Sequence, residues 1–246
     1  MPEAPPDRRR LAPFRLRAAA LHLYTASGAV LAFLATVEIC SAAPDPRLVF
    51  ALLAAAVLVD ATDGPLARRW EVSRWLPAIE GRTIDDIVDY LTYTFVPLLL
   101  VWRMGWVPAP HVAWVAPALL ASLFGFANTG VKDERAGFFL GFPSYWNVVA
   151  FYAGFVYRLY GPAVNAGALV LLALATVLPV RFIYPNLAPR PWRAPVVIGA
   201  LLWLGAMLAL LPDYPRAPAW AVWLSLLYPA FYVGLSFRLS WGTRSG

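Results

Sequence analysis

Apolar stretches of roughly membrane-spanning length recur along almost the whole chain, separated by short segments that carry most of its arginines. They cover about 21–42, 48–68, 81–102, 112–128, 142–157, 163–184, 196–211 and 219–237. A hydrocarbon core about 30 Å thick needs roughly 20 apolar residues of helix to cross it, and backbone amides at that depth are satisfied only inside helices or closed barrels. The pattern therefore predicts an all-α, polytopic transmembrane bundle of about eight spans. Pro65, inside the second stretch, lacks a donor and should free the carbonyl of Ala61, bending that helix.

The loops give the orientation. The start, MPEAPPDRRRLAPFRLR, is proline-rich and then basic, which reads as a tail leading into an interfacial helix over residues 1–18, its arginines lying against anionic lipid heads. A cleaved signal peptide fits less well, because Glu38 interrupts the first apolar stretch. Threading eight helices with both termini in the cytoplasm leaves only Arg47, Arg103, Arg158 and Arg216 at the outer loops, as the positive-inside rule requires.

Composition agrees. Of 246 residues, 61% are hydrophobic and only 14% charged, so this is a membrane protein rather than a globular domain with one core. The net charge of +6 comes from arginines scattered between apolar spans, which makes nucleic acid an unsuitable partner and the lipid bilayer the natural one. The one cysteine, Cys40, excludes an internal disulfide, a multi-cysteine zinc site and redox chemistry within the chain. No G-x-S-x-G elbow or Walker sequence is present, so hydrolase and P-loop chemistry lack their parts.

What changes the picture is a set of acids in two of the apolar stretches. Asp60, Asp63, Gly64 and Ala67 fall at i, i+3, i+4 and i+7, and Gly81, Asp85 and Asp89 at i, i+4 and i+8. Each set shares one helical stripe, and both lie at the cytoplasmic ends of their spans. Facing each other they would form a four-carboxylate box beside bare backbone, where small residues let a flat ligand approach. A carboxylate at bilayer depth costs roughly 2.5–3.5 kcal/mol on insertion scales, so four require cationic compensation. Hard divalent cations suit clustered carboxylates and also carry phosphate oxygens. A proton or ion pathway, or salt-bridged helices, would compensate the charge too. Arg82 and Asp86, at i and i+4, read as such a structural pair.

The series Asp60-x2-Asp63-Gly64-x2-Ala67-Arg68, a gap, then Gly81-x3-Asp85-x3-Asp89 resembles the signature of the CDP-alcohol phosphotransferases. The twelve-residue gap is longer than that family's usual eight and is similar to its phosphatidylcholine synthase branch, as are HLYTASGA at 22–29 and GFFLGFPSYWN at 137–147. The resemblance implies a six-helix catalytic core over 19–184, with 185–246 adding two helices, in a bacterial inner membrane protein with its active site on the cytoplasmic side. The implied activity is transfer of a phosphatidyl group from CDP-diacylglycerol to choline, with release of CMP. Asp60, Asp63 and Asp85 would hold two divalent cations, Mn²⁺ or Mg²⁺, and Asp89 would act as general base while also touching a metal. Gly64, Ala67 and Gly81 would line the cytidine and diphosphate site. Arg68 would meet the phosphates, and His22 and Thr25 would touch the nucleotide or its diphosphate. Members are commonly homodimers.

Choline's quaternary ammonium offers no N–H donor, so it needs aromatic faces; Tyr145, Trp146, Tyr184 and Tyr93 are the candidates. Two other functions compete: a sibling transferase using serine or glycerol phosphate, and an acidic-lined ion channel or carrier. A phosphorylated acceptor would want several basic residues near Asp89, where few are available, and a channel leaves the glycines beside both acid pairs unexplained.

Overall fold

The computed structural model describes residues 8–128, 132–133, 138–183 and 188–242. Tyr184, one of the four expected choline contacts, lies outside them. The chain forms two compact units, Met1–Val96 and Pro97–Gly246.

In the first unit α1 (Arg8–Ile39) is one helix of 32 residues, so the expected interfacial segment and first span are a single element. The reason is that its first turns have partners of their own. Phe14 stacks on Trp75 with ring centroids 4.7 Å apart, the Arg17 guanidinium lies 4.1 Å above the Trp70 ring, and Ala18 and Leu21 are buried with Val72. Here the helix is held by the segment after α2 (Pro46–Arg69), which includes the short α3 (Val72–Trp75).

The turn between α1 and α2 is equally tied. The Asp45 carboxylate caps α2 by accepting from the Arg47 backbone N–H at 2.9 Å, with Pro46 at the first helical position, where a missing donor costs nothing. Glu38 accepts the Asp45 N–H at 2.8 Å, giving that carboxylate a structural use. The Arg47 side chain, hydrogen-bonded to Asp45, holds its carboxyl below the usual carboxylate range.

The third apolar stretch starts as α4 (Gly81–Asp89), widens into a π-helical turn over Tyr90–Phe95 and resumes as α5 (Val96–Arg103). The Val96 N–H bonds to the Leu91 carbonyl five residues back, the hydrogen bond that defines a π turn.

The second unit contains α6 (Val112–Ala127), α7 (Trp146–Tyr160), α8 (Pro162–Val177), α9 (Arg190–Leu210), α10 (Ala219–Ser225) and α11 (Leu227–Gly242). Between them lies a small antiparallel sheet, β1 (Lys132–Asp133), β2 (Phe138–Leu140) and β3 (Arg181–Ile183), pairing Lys132 with Phe139 and Phe138 with Ile183. Its strands hold two or three residues each, within a chain that is otherwise helical as the all-α expectation had it. The sixth span, expected to reach 184, ends as helix at Val177, because Leu178 precedes Pro179 and takes an extended conformation (φ −81°, ψ 147°) that leads into β3. The last stretch is divided at Leu226, where Pro229 removes a donor from the first turn of α11. The added helices are pinned by polar bonds: the Tyr152 hydroxyl on α7 takes the Trp203 indole N–H at 2.9 Å and meets Ser225 Oγ at 2.9 Å.

Among the described residues, four helical segments are long and apolar enough to cross a membrane, Ala12–Ile39, Pro46–Arg69, Arg190–Leu210 and Ala219–Ser240, with shorter apolar helices at Val112–Ala127 and Pro162–Val177. The protein is an integral membrane protein built of helices.

Candidate functional site

Asp60 on α2 and Asp85 and Asp89 on α4 each present one carboxylate oxygen such that all three oxygens lie within 4.8 Å of one another, at half-buried positions. Three of the four expected carboxylates therefore converge across two helices. Asp63 does not join them; it is 6% exposed. The geometry of a helix accounts for this, since residues three apart point about 60° away from each other, whereas those four apart differ by about 40°.

The convergence depends on α1, which packs along both α2 and α4. A Cβ on Gly28 would lie 2.5 Å from Val88 Cγ1, so only glycine allows this approach. Four residues earlier the Tyr24 hydroxyl meets Thr62 Oγ1 at 2.8 Å, joining α1 to the turn of α2 between Asp60 and Asp63. The HLYTASGA stretch thus has a bracing role that the sequence reading missed. Its partners, Val88 and Thr62, are distant in the chain and carry no local signal.

The donor set fits a hard divalent cation. Oxygens around one ion at about 2.1 Å lie at most about 4.2 Å apart, so three carboxylate oxygens within 4.8 Å of one another are near the spacing that one ion needs. A purely oxygen donor set suits hard cations over softer metals.

Around the acids, the Tyr93 hydroxyl donates to Asp60 Oδ2 at 2.7 Å, placing a residue expected at a choline wall in direct contact with the carboxylate group. The Arg68 guanidinium lies over Gly64, where a Cβ would be 3.5 Å from Nη1. Gly81 abuts the His22 ring, its Cβ position 3.0 Å from Cε1. Among the described residues the buried His22 Nε2 has no hydrogen-bond partner, and Thr25, one turn along α1, is buried. Ala67 instead packs against the Ala18, Leu21 and Val72 cluster. Arg82 and Asp86 form the expected pair at 3.7 Å.

In the second unit Phe142 gathers aromatic rings around itself: Tyr145, Trp146 and Phe182 meet it edge-on at centroid distances of 6.4, 5.4 and 6.4 Å. Trp146 is 0% exposed and its indole N–H donates to Ser122 Oγ at 2.6 Å, while Tyr145 is half-buried. Ser144, just before α7, sits at φ 55°, and its hydroxyl also reaches Ser122, which fixes the turn that presents these rings.

No protein-family model matches the chain. Curated proteins do. It is 34% identical to the phosphatidylcholine synthase of Pseudomonas aeruginosa over 224 residues, 90% of this chain and 91% of that one. It is similar at 36% over 221 residues to the phosphatidylcholine synthase of Rhizobium meliloti, 87% of each chain, and at 32% over 225 residues to that of Legionella pneumophila, 88% of this chain and 86% of the relative.

Proposed function

The chain belongs to the phosphatidylcholine synthases and is a transferase of phospholipid biosynthesis, and from that premise we propose how its residues carry the reaction. CDP-diacylglycerol and choline are the substrates, and phosphatidylcholine and CMP the products. The observation that carries this reading is the meeting of Asp60, Asp85 and Asp89 at one point.

Asp60, Asp85 and Asp89 would hold a divalent cation, with Asp63, buried one turn along α2, as a ligand of a second. When bound, Mn²⁺ or Mg²⁺ neutralises the pyrophosphate and the charge that develops on the departing CMP. The choline hydroxyl oxygen attacks the lipid-linked phosphorus in line with the bond to CMP; a new P–O bond forms as the old one breaks. Asp89 takes the hydroxyl proton and later returns it to solvent. Gly64 and Gly81 leave room for the cytidine and diphosphate, with Ala67 backing that stretch of α2 against Ala18, Leu21 and Val72; Arg68 answers the phosphate charge, and His22, beside Gly81, and Thr25 supply polar atoms. The unsatisfied His22 Nε2 supports that placement, since a buried polar atom without a partner favours a ligand that provides one.

Aromatic faces hold the ammonium of choline. Tyr145, Trp146 and Tyr184, or the ring of Tyr93, are the residues proposed for it. The protein sits in the bacterial inner membrane with both termini and the site on the cytoplasmic side, a six-helix core over 19–184 carrying the chemistry, and it works as a homodimer.

Purified protein supplied with labelled choline, CDP-diacylglycerol and Mn²⁺ should yield labelled lipid and CMP in equal amounts, with EDTA abolishing both. Asp89→Asn should lower kcat by about 10²–10⁴-fold, the range for loss of a general base. Transfer to serine but not to choline would point to a sibling acceptor, and cation flux without CMP would remove the transferase reading.

A further inference from the structure

The π-helical turn begins immediately after Asp89, the last of the three converging acids, and it contains Tyr93. In an α-helix, four residues overshoot a full turn by about 40°, so positions 81, 85, 89 and 93 drift steadily around the helix. Three such steps would carry Tyr93 about 120° from the face of Gly81. The wider π turn, with its bonds reaching five residues back, takes up that drift. Tyr93 is thereby turned towards α2, where its hydroxyl donates to Asp60 Oδ2 at 2.7 Å. The extra residue in the helix and the hydrogen bond are two views of one arrangement.

We propose that Tyr93 is a positioning residue for the carboxylate centre: its hydroxyl fixes the orientation of the Asp60 carboxylate so that Asp60 faces Asp85 and Asp89 as a preformed donor to a divalent cation. The proposal rests on the reading that these three aspartates hold such an ion. Asp60 is the single acid that α2 brings to the cluster, against two on α4, and a carboxylate can rotate about its last bond. A charge-assisted hydrogen bond from a part-buried phenol removes that freedom before the ion arrives. Outer hydrogen bonds of this kind typically change metal affinity by about 10–100-fold when lost. The hydroxyl's role is separate from any contact the Tyr93 ring makes with choline, and one substitution separates them: Tyr93→Phe keeps the ring and removes only the oxygen.

The test titrates the purified full-length protein with Mn²⁺ alone, following free Mn²⁺ by electron paramagnetic resonance, for wild type, Tyr93→Phe, Thr94→Val, Asp60→Asn and the Tyr93→Phe/Asp60→Asn double variant. Tyr93→Phe should raise the Mn²⁺ Kd by about tenfold or more, lower kcat and leave the choline KM within about twofold. Thr94→Val, which removes a buried hydroxyl from the same π turn, should behave as wild type, and Tyr93→Phe should add nothing in the Asp60→Asn background. A Tyr93→Phe protein that binds Mn²⁺ as wild type does, or whose only change is a raised choline KM, overturns the proposal. So does equal loss in Thr94→Val, which would mark a general disturbance of the turn. Because the titration needs no substrate, a protein that binds Mn²⁺ but fails to use choline still decides the role of Tyr93, whereas a wild type that binds no Mn²⁺ overturns both readings.

Discussion

A single absent Cβ governs how near α1 lies to the acids on α4. Gly28 and Val88 are already in contact, and Val88 directly precedes Asp89, so any bulk at position 28 pushes against the helix that carries two of the three carboxylates. Overpacking a well-filled contact typically costs about 1–3 kcal/mol in stability, and here the displacement falls on metal ligands. Gly28→Val should therefore weaken Mn²⁺ binding and cut transfer activity by at least about tenfold, since about 1.4 kcal/mol corresponds to a factor of ten. Gly205→Val, on α9 where a Cβ meets nothing within 4 Å, should leave both unchanged. Asp60, Asp85 and Asp89 were legible from sequence because turn-by-turn arithmetic needs only the assumption of a helix, whereas Asp63, grouped with them at i+3, stands apart. Gly28 was legible as part of a resembling stretch but its purpose was not, because what it makes room for lies sixty residues away.

At the scale of elements, the π turn is the feature that sequence arithmetic does not reach. YLTYTF has no composition that sets it apart from the α-helix on either side, and the extra residue is tolerated because tertiary bonds such as Tyr93 to Asp60 stabilise it. Deleting Leu91 should remove the extra residue and restore a continuous α-helix, in which Tyr93 falls three residues after Asp89 instead of four and loses its bond to Asp60. The expected result, read by Mn²⁺ titration and by thermal unfolding in detergent, is lost metal affinity together with a lower midpoint. The short sheet was hidden for a different reason. Its strands hold two or three residues each, too few to show an alternating pattern, and β3 reads as the end of a span until Pro179 is given its full weight as a helix terminator.

For the whole molecule, hydrophobic periodicity made the membrane assignment straightforward, because a bilayer demands long uninterrupted apolar helices and the chain supplies them. Lengths were less evenly legible. Residues 112–127 and 162–177 form helices of 16 residues each, about 24 Å long; the first agrees with its expected span to one residue, whereas the second stops well short of the expected 184. The orientation of the chain can be read with its own cysteine. Cys40 is the sole thiol, exposed at the end of α1 that the arginine distribution assigns to the outer face. A membrane-impermeant maleimide applied to spheroplasts should label it without lysis, and Cys40→Ser should abolish the signal; labelling only after lysis would invert the topology. One last consequence comes from the N-terminal turns of α1. By clasping Trp70, Val72 and Trp75, they anchor the first half of the segment linking the two acid-bearing helices. A residue added or removed within that anchored half breaks the clasp, and the strain falls on the spacing between Asp60 and the pair on α4.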